Sequence, residues 1–201
     1  MKVKTLLEDD FDKECRRLTS LIEGSYKPDL IVGVLTGGGC VGQRVYKEIS
    51  KRISVHYCEV RVARGSTEIK RKINIKSILR KLPNPVLNFL RVLEVHVLEL
   101  MSKIRIPKRQ GEILMGHEIR ELLESGPKNI LIVDDCVDTG ATLKYIIDYF
   151  IGEYGSEHNL RCAVITKAHK KPLVNVDYLL YNRVLIRFPW SFDTKKKSPE
   201  V

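Results

Sequence analysis

Two hydrophobic rhythms alternate along the chain. Aliphatic runs bounded by acids, glycine or proline occur at 29–35, 130–133, 162–167 and 184–188, with another strand expected over 53–63. Such runs are too short for buried helices and read as strands, some of them covered on both faces. Between them the apolar positions space as helices. Phe11, Cys15, Leu18, Leu21 and Ile22 recur at helical intervals over 8–24, and further helices are expected over 41–51, 111–125 and 143–152. Strands alternating with helices predict an α/β fold with a mainly parallel sheet flanked by helices, and ligands at the carboxyl ends of the strands. At 201 residues, 43% hydrophobic and without an internal repeat, the chain can build one substantial core, and a single domain over 1–201 is expected.

Two strand ends carry the chemistry. The run Ile130 to Val133 leads into Asp134, Asp135, Cys136, Val137, Asp138, Thr139, Gly140, Ala141 and Thr142. Adjacent carboxylates at a strand end can accept hydrogen bonds from a diol, or hold the waters of a hard Mg²⁺ ion. The residues from Asp138 to Thr142 add backbone N–H groups, two hydroxyls and a glycine that permits close approach, at an expected helix start where anions bind. An ordinary capped turn would account for one acid and one threonine, not for three acids and this loop. The second strand end is Thr36, Gly37, Gly38 and Gly39, whose backbone N–H groups suit an anion, although glycine turns between strand and helix are widespread.

The run Val133 to Thr142 resembles the phosphoribosyl-pyrophosphate (PRPP) signature of the type I phosphoribosyltransferases. The resemblance implies that fold, with a small C-terminal hood, and assigns the ribose hydroxyls to Asp134 and Asp135, which would also serve the Mg²⁺ cofactor. It places Asp138 beside the base nitrogen as the catalytic residue, and wraps the 5′-phosphate in Thr139, Gly140, Ala141 and Thr142. Thr36, Gly37 and Gly38 correspond to the pyrophosphate loop, with Thr36 where relatives usually carry Arg or Lys. The order of the C-terminal third is similar to the xanthine-guanine and other 6-oxopurine enzymes. By that likeness Lys167 meets the purine oxygen, while Leu185, Ile186 and Arg187 face the base ahead of Phe188, Pro189 and Trp190. Leu185 replaces the usual stacking aromatic and Arg187 the usual acid. An arginine attracts an oxo or anionic edge, so guanine does not follow, and xanthine or another oxo-rich base stays open.

Charge changes the picture locally. Residues 64–110 hold twelve Lys/Arg against three Glu, in a chain of net charge +10. Relatives carry a mobile catalytic loop here, and the inserted segment 66–109 offers only Ser66 and Thr67 as hydroxyls at that place. Basic clusters flank the run 86–101, whose only polar members are Asn88, Arg91, Glu94, His96 and Glu99. As a helix of about 1.5 Å rise per residue it reaches about 24 Å, too short and too charged for a comfortable membrane span. Three roles are open: a helical hairpin packed on the core or on a second subunit with its basic flank solvated, an interfacial helix on an anionic membrane, or a nucleic-acid contact. The last is the least favoured, since few aromatics interleave the charges.

The five cysteines (Cys15, Cys40, Cys58, Cys136, Cys162) are scattered and partly within aliphatic runs, which suggests reduced thiols and no structural zinc. Acids from Glu8 to Asp12 follow Lys2 and Lys4, unlike a secretory signal. A cytoplasmic enzyme is expected, peripheral to a membrane if the insertion binds lipid, forming a dimer or tetramer, and taking PRPP and a purine-like base. A disordered tail is expected over 191–201. The rival is a PRPP-sensing regulator or scaffold that has lost turnover, favoured by Thr36, Leu185 and the missing catalytic loop.

Overall fold

The computed structural model describes residues 1–62, 83–104, 113 and 115–191. Its elements run β1 (Lys2–Thr5), α1 (Glu8–Glu23), β2 (Leu30–Val34), α2 (Gly37–Ile49), β3 (His56–Val60), α3 (Asn84–Ile104), α4 (His117–Glu124), β4 (Asn129–Val137), α5 (Ala141–Tyr154), β5 (Asn159–Lys167), β6 (Tyr178–Asn182) and β7 (Val184–Arg187). Five strands form a parallel sheet in the order β3-β2-β4-β5-β6, and β1 pairs in parallel with β7 as a separate two-stranded hood. This is the doubly covered parallel α/β architecture of the type I phosphoribosyltransferase fold.

Side-chain alternation along the strands builds the two layers. Ile31, Leu131, Val133, Ala163 and Ile165 face Phe11, Leu18 and Ile22 of α1 and Val41, Val45 and Ile49 of α2. Leu30, Val32, Ile130, Ile132, Cys162 and Val164 face the opposite way, onto Ile119 and Leu123 of α4 and Leu143, Ile146 and Phe150 of α5. Both faces of each central strand are therefore dry, which is why the strands read as continuous aliphatic runs. The chain leaves β2 toward β3 on one side and returns to β4 on the other. The carboxyl ends of β2 and β4 thus flank the point where strand order reverses, the usual ligand crevice of such sheets.

Several boundaries differ from the expectations. Helix α2 begins at Gly37, so the glycines are its first turn and not a loop before it. Strand β4 runs on through Asp134 and Asp135 to Val137 because β5 continues to pair with it as far as Lys167. The helix expected over 111–125 is confined to His117–Glu124 among the described residues. Strands β1 and β6 were not anticipated: β1 has four residues and only a partner 182 positions away in register, Lys2 with Val184.

Of the insertion, α3 is described, and residues 66–82 and 105–109, with Ser66 and Thr67, lie outside the described residues. Leu87 and Val95 of α3 are buried, and Val95 packs with Leu185 and Ala168. The guanidinium of Arg91 donates to the Ile186 carbonyl at 3.1 Å. One face of this helix is accordingly docked on the hood. Among the described residues no helix is long and apolar enough to cross a membrane. The expected tail lies outside the described residues from position 192 on.

Candidate functional site

The acid motif and the glycine turn meet at the strand-order reversal. Gly33 of β2 is in register with Val133 of β4, so the two following segments emerge side by side. Gly38 packs directly on β4: a methyl group there would lie 2.7 Å from the Asp134 Cα and 2.7 Å from the Val133 carbonyl oxygen. A methyl group on Gly37 would overlap the Asp135 carboxylate and come within 2.9 Å of Trp190 Nε1. Close approach of helix to strand, not turn geometry, is what needs glycine at these positions. Thr36 is exposed at the helix start and gives no side-chain cap; the Leu35–Thr36 peptide is cis.

Asp134, Cys136, Val137, Asp138, Thr139, Gly140, Ala141, Thr142 and Leu143 line one recess. Gly140 adopts φ +79°, the left-handed conformation that turns the chain from strand end into α5. Its outer side is covered by the segment after β5, where the Leu173 N–H donates to the Thr139 carbonyl at 2.9 Å. Thr139 Oγ1 accepts from the Ala141 N–H at 3.4 Å, and no side-chain cap hydrogen bond closes the start of α5. A helix start left open at the floor of a recess presents backbone donors to an anion.

The two adjacent acids have different surroundings. Asp134 Oδ1 accepts the Asp135 backbone N–H at 2.9 Å. Asp135 Oδ2 accepts the indole N–H of Trp190 at 3.1 Å. Burial pushes the Asp135 carboxyl above its ordinary value, against the hydrogen bonds from Trp190 and the neighbouring backbone that favour the carboxylate. The Cys136 thiol lies 3.7 Å from Asp138 Oδ1, and burial, followed by the charges of Asp138, Asp135 and Asp134, pushes it well up. Asp138 itself is exposed.

Lys167 ends β5 in register with Val137, immediately before Asp138, so these two charged residues share one edge of the sheet. Leu185, Ile186 and Arg187 are elsewhere occupied. Leu185 packs with Val95 and Ala168, Ile186 faces the α1 layer, and all three are buried. Arg187 donates to Thr5 Oγ1 at 3.2 Å and to Asn88 Oδ1 at 3.0 Å, which joins β7 to both β1 and α3. None of the three lines the recess around Asp134 and Gly140. Trp190 packs, stacked on Phe188 at 4.9 Å, but also holds Asp135, a contact with no local signal in the sequence. The cover of Gly140 by Pro172 and Leu173 was equally invisible, being made across a loop.

No group of three or more His, Cys, Asp or Glu side chains converges on a candidate metal position among the described residues. The donor set is a pair of adjacent carboxylates, one engaged by an indole. Such a set fits a hard ion that takes most of its oxygens from water and substrate, the usual manner of Mg²⁺.

A phosphoribosyl transferase domain model matches residues 3–197. No curated protein matches. Among solved structures, a purine phosphoribosyltransferase from Pyrococcus horikoshii is 20% identical with a TM-score of 0.59, over 98% of this chain and 100% of that one. A xanthine-guanine-hypoxanthine phosphoribosyltransferase from Helicobacter pylori is 14% identical with a TM-score of 0.57, over 95% of each chain. A hypothetical protein from Neisseria gonorrhoeae with bound ppGpp is 14% identical with a TM-score of 0.57, over 94% of this chain and 90% of that one. These likenesses concern fold. The family match spans nearly the whole chain and takes in both strand-end segments that meet at the strand-order reversal: this chain belongs to the phosphoribosyl transferase domain family.

Proposed function

We propose that this chain transfers ribose 5-phosphate from PRPP to a ring nitrogen of a 6-oxopurine-like base. The C1–O bond to pyrophosphate breaks, the leaving group keeps the electron pair, and a bond from the base nitrogen to C1 forms. The nitrogen's proton passes to Asp138, whose exposed carboxylate stands at the lip of the recess. The observation that carries the proposal is the recess itself, where acids at the end of β4 adjoin an uncapped helix start across the left-handed Gly140.

Thr139 to Thr142 hold the 5′-phosphate on backbone and hydroxyl donors. Asp134 and Asp135 take the ribose hydroxyls, and Thr36, Gly37 and Gly38 border the departing pyrophosphate. Mg²⁺, held by Asp134 and Asp135 with the substrate's own oxygens, would neutralise charge building on pyrophosphate. Lys167 at the shared edge supplies a donor to the base oxygen. The buried positions of Leu185, Ile186 and Arg187 favour an indirect influence on the base, through the shape of the hood. Most of the acceleration comes from holding donor and acceptor in line, with charge placed where it develops.

Incubation of the full chain with PRPP, Mg²⁺ and hypoxanthine, xanthine, guanine or adenine singly, followed by nucleotide chromatography, tests this. A monophosphate from an oxo-purine is expected, and its formation falls by about a hundredfold or more in Asp138→Asn. PRPP binding without nucleotide from any of the four bases would overturn the purine-transfer proposal and leave the non-catalytic PRPP-binding reading.

A further inference from the structure

Helix α3 has two apolar faces, and among the described residues the hood covers one of them. Leu87 and Val95 are 3% and 7% exposed against the hood. The Arg91 bond to Ile186 and the Arg187 bond to Asn88 fix the helix on β7. The other face carries Val86, Phe89, Leu90, Leu93 and Val97, at 41%, 65%, 38%, 47% and 44% exposure. These are five of the nine exposed large apolar residues found among the described residues, so the surplus is concentrated on one element. Isolated exposed apolar side chains are ordinary; a contiguous row of them marks a contact surface.

The spacing of the row identifies what fits it. Val86, Leu90, Leu93 and Val97 are separated by four, three and four residues, and the sequence repeats this step at Leu100 and Ile104. A mean period of 3.5 residues keeps a seam facing another helix that coils around it. Within α3 itself the charges are Arg91, Glu94, Glu99 and Lys103, which cancel, and the basic clusters of the insertion lie outside the helix. A helix lying on an anionic bilayer instead carries cations beside its apolar face, and a nucleic-acid contact needs a net positive surface. A neutral, narrow, aliphatic seam is complementary to itself. Because α3 is already held on the hood, pairing orders little that was not ordered before.

We propose that the seam Val86, Leu90, Leu93 and Val97, with Phe89 at its border, is where a second copy of this chain docks, α3 against α3 about a two-fold axis. In an isologous contact each residue acts twice, so a single altered position changes both halves of the interface. Pairing also ties the two hoods together through β7, whatever reaction the recess performs.

Sedimentation equilibrium of the full chain tests the proposal. The native chain is expected to self-associate, and Leu90→Glu/Leu93→Glu to raise the dissociation constant at least about tenfold, with unchanged far-ultraviolet circular dichroism. Leu93→Gln is the milder variant should the double one not fold, and must weaken association in the same direction. Leu21→Glu, at an exposed apolar position of α1 (48% exposed), leaves association unchanged. A native chain that is monomeric at tens of micromolar overturns the proposal, as does association insensitive to the seam or equally sensitive to Leu21. Flotation with phosphatidylserine-containing vesicles supplies the remaining arm: a monomeric native chain captured by vesicles, and released by the double substitution, assigns the seam to lipid and overturns the dimer.

Discussion

The indole N–H of Trp190 reaches Asp135 Oδ2 at 3.1 Å, so an aromatic just past β7 holds the second acid of the Asp134–Asp135 pair. Phe188 stacks on the indole at 4.9 Å and Phe11 meets it edge-on at 5.0 Å, so the donor is aimed by a ring just past β7 and one from α1. Trp190→Phe keeps much of the ring packing and removes the donor, leaving a part-buried acceptor short of one bond, at a cost of about 1–3 kcal/mol. A lowered melting temperature and several-fold weaker PRPP binding by calorimetry are expected. Unaltered PRPP affinity would mean that Asp135 is oriented without the indole.

Glycine substitutions in two helices should have opposite signs. Alanine at Gly38 places a methyl group 2.7 Å from the Asp134 Cα and the Val133 carbonyl, backbone that cannot step aside. Overpacking of this kind costs about 1–3 kcal/mol and would separate α2 from β4 where the site is built. Gly152→Ala, inside α5 with no atom within 4 Å of the new methyl, should stabilise by about 0.5–1 kcal/mol. Urea denaturation of the two variants measures both. Destabilisation by Gly152→Ala, or neutrality of Gly38→Ala, would contradict the close-packed junction.

The difference between these two glycines also shows what the sequence could disclose. Aliphatic strands and helical periodicities are local, and they located β2, β4, β5, α1 and α5 to within a few residues. The motif from Asp134 to Thr142 was legible because strand, acids and helix start are contiguous. The turn from Gly37 to Gly39 looked like a loop since glycine disfavours helix; contact with β4 overrides that preference. Strand β1, the docking of α3 on β7, and the bond from Trp190 to Asp135 depend on residues far apart in sequence, and no local pattern encodes them. Arg187 donates to Thr5 and Asn88, acceptors that nothing nearby in sequence indicates.

The thiols should be inert in the native protein. Burial pushes Cys15, Cys58 and Cys162 each to about 12, and raises Cys40 and Cys136 as well. At pH 8 a thiol of that kind is ionised in only about one molecule in ten thousand, and the thiolate is the reactive form. Iodoacetamide followed by mass spectrometry should therefore label the native chain slowly, and all five cysteines readily in denaturant. A thiol that is alkylated natively at the rate of a free cysteine would show an exposed, activated site in place of a buried one.

Acid stability should depend on Glu14. Its carboxylate accepts from Lys4 Nζ at 2.9 Å and from the Tyr181 hydroxyl at 2.5 Å, and pairs with Arg17 at 2.6 Å, which joins β1, α1 and β6 at one point. Burial alone would raise its pKa, but the bonds from Lys4 and Tyr181 and the charges of Lys4 and Arg17 outweigh it and hold the carboxyl below its ordinary 4.5. The unfolded chain then takes up this proton first as pH falls. The contribution is present in full above pH 4.5 and is lost as pH drops through the lower native value. Lys4 acts at the other end of the scale: burial opposes its charge, its bonds to Glu14 and Tyr181 more than restore it, and its contribution is present below pH 10.5 and lost above its raised native value. Glu14→Gln should therefore lower the urea midpoint at pH 7 and make it less sensitive to acid below pH 4.5. Parallel pH profiles for the native chain and the variant would show that the hood is anchored without the charge on Glu14.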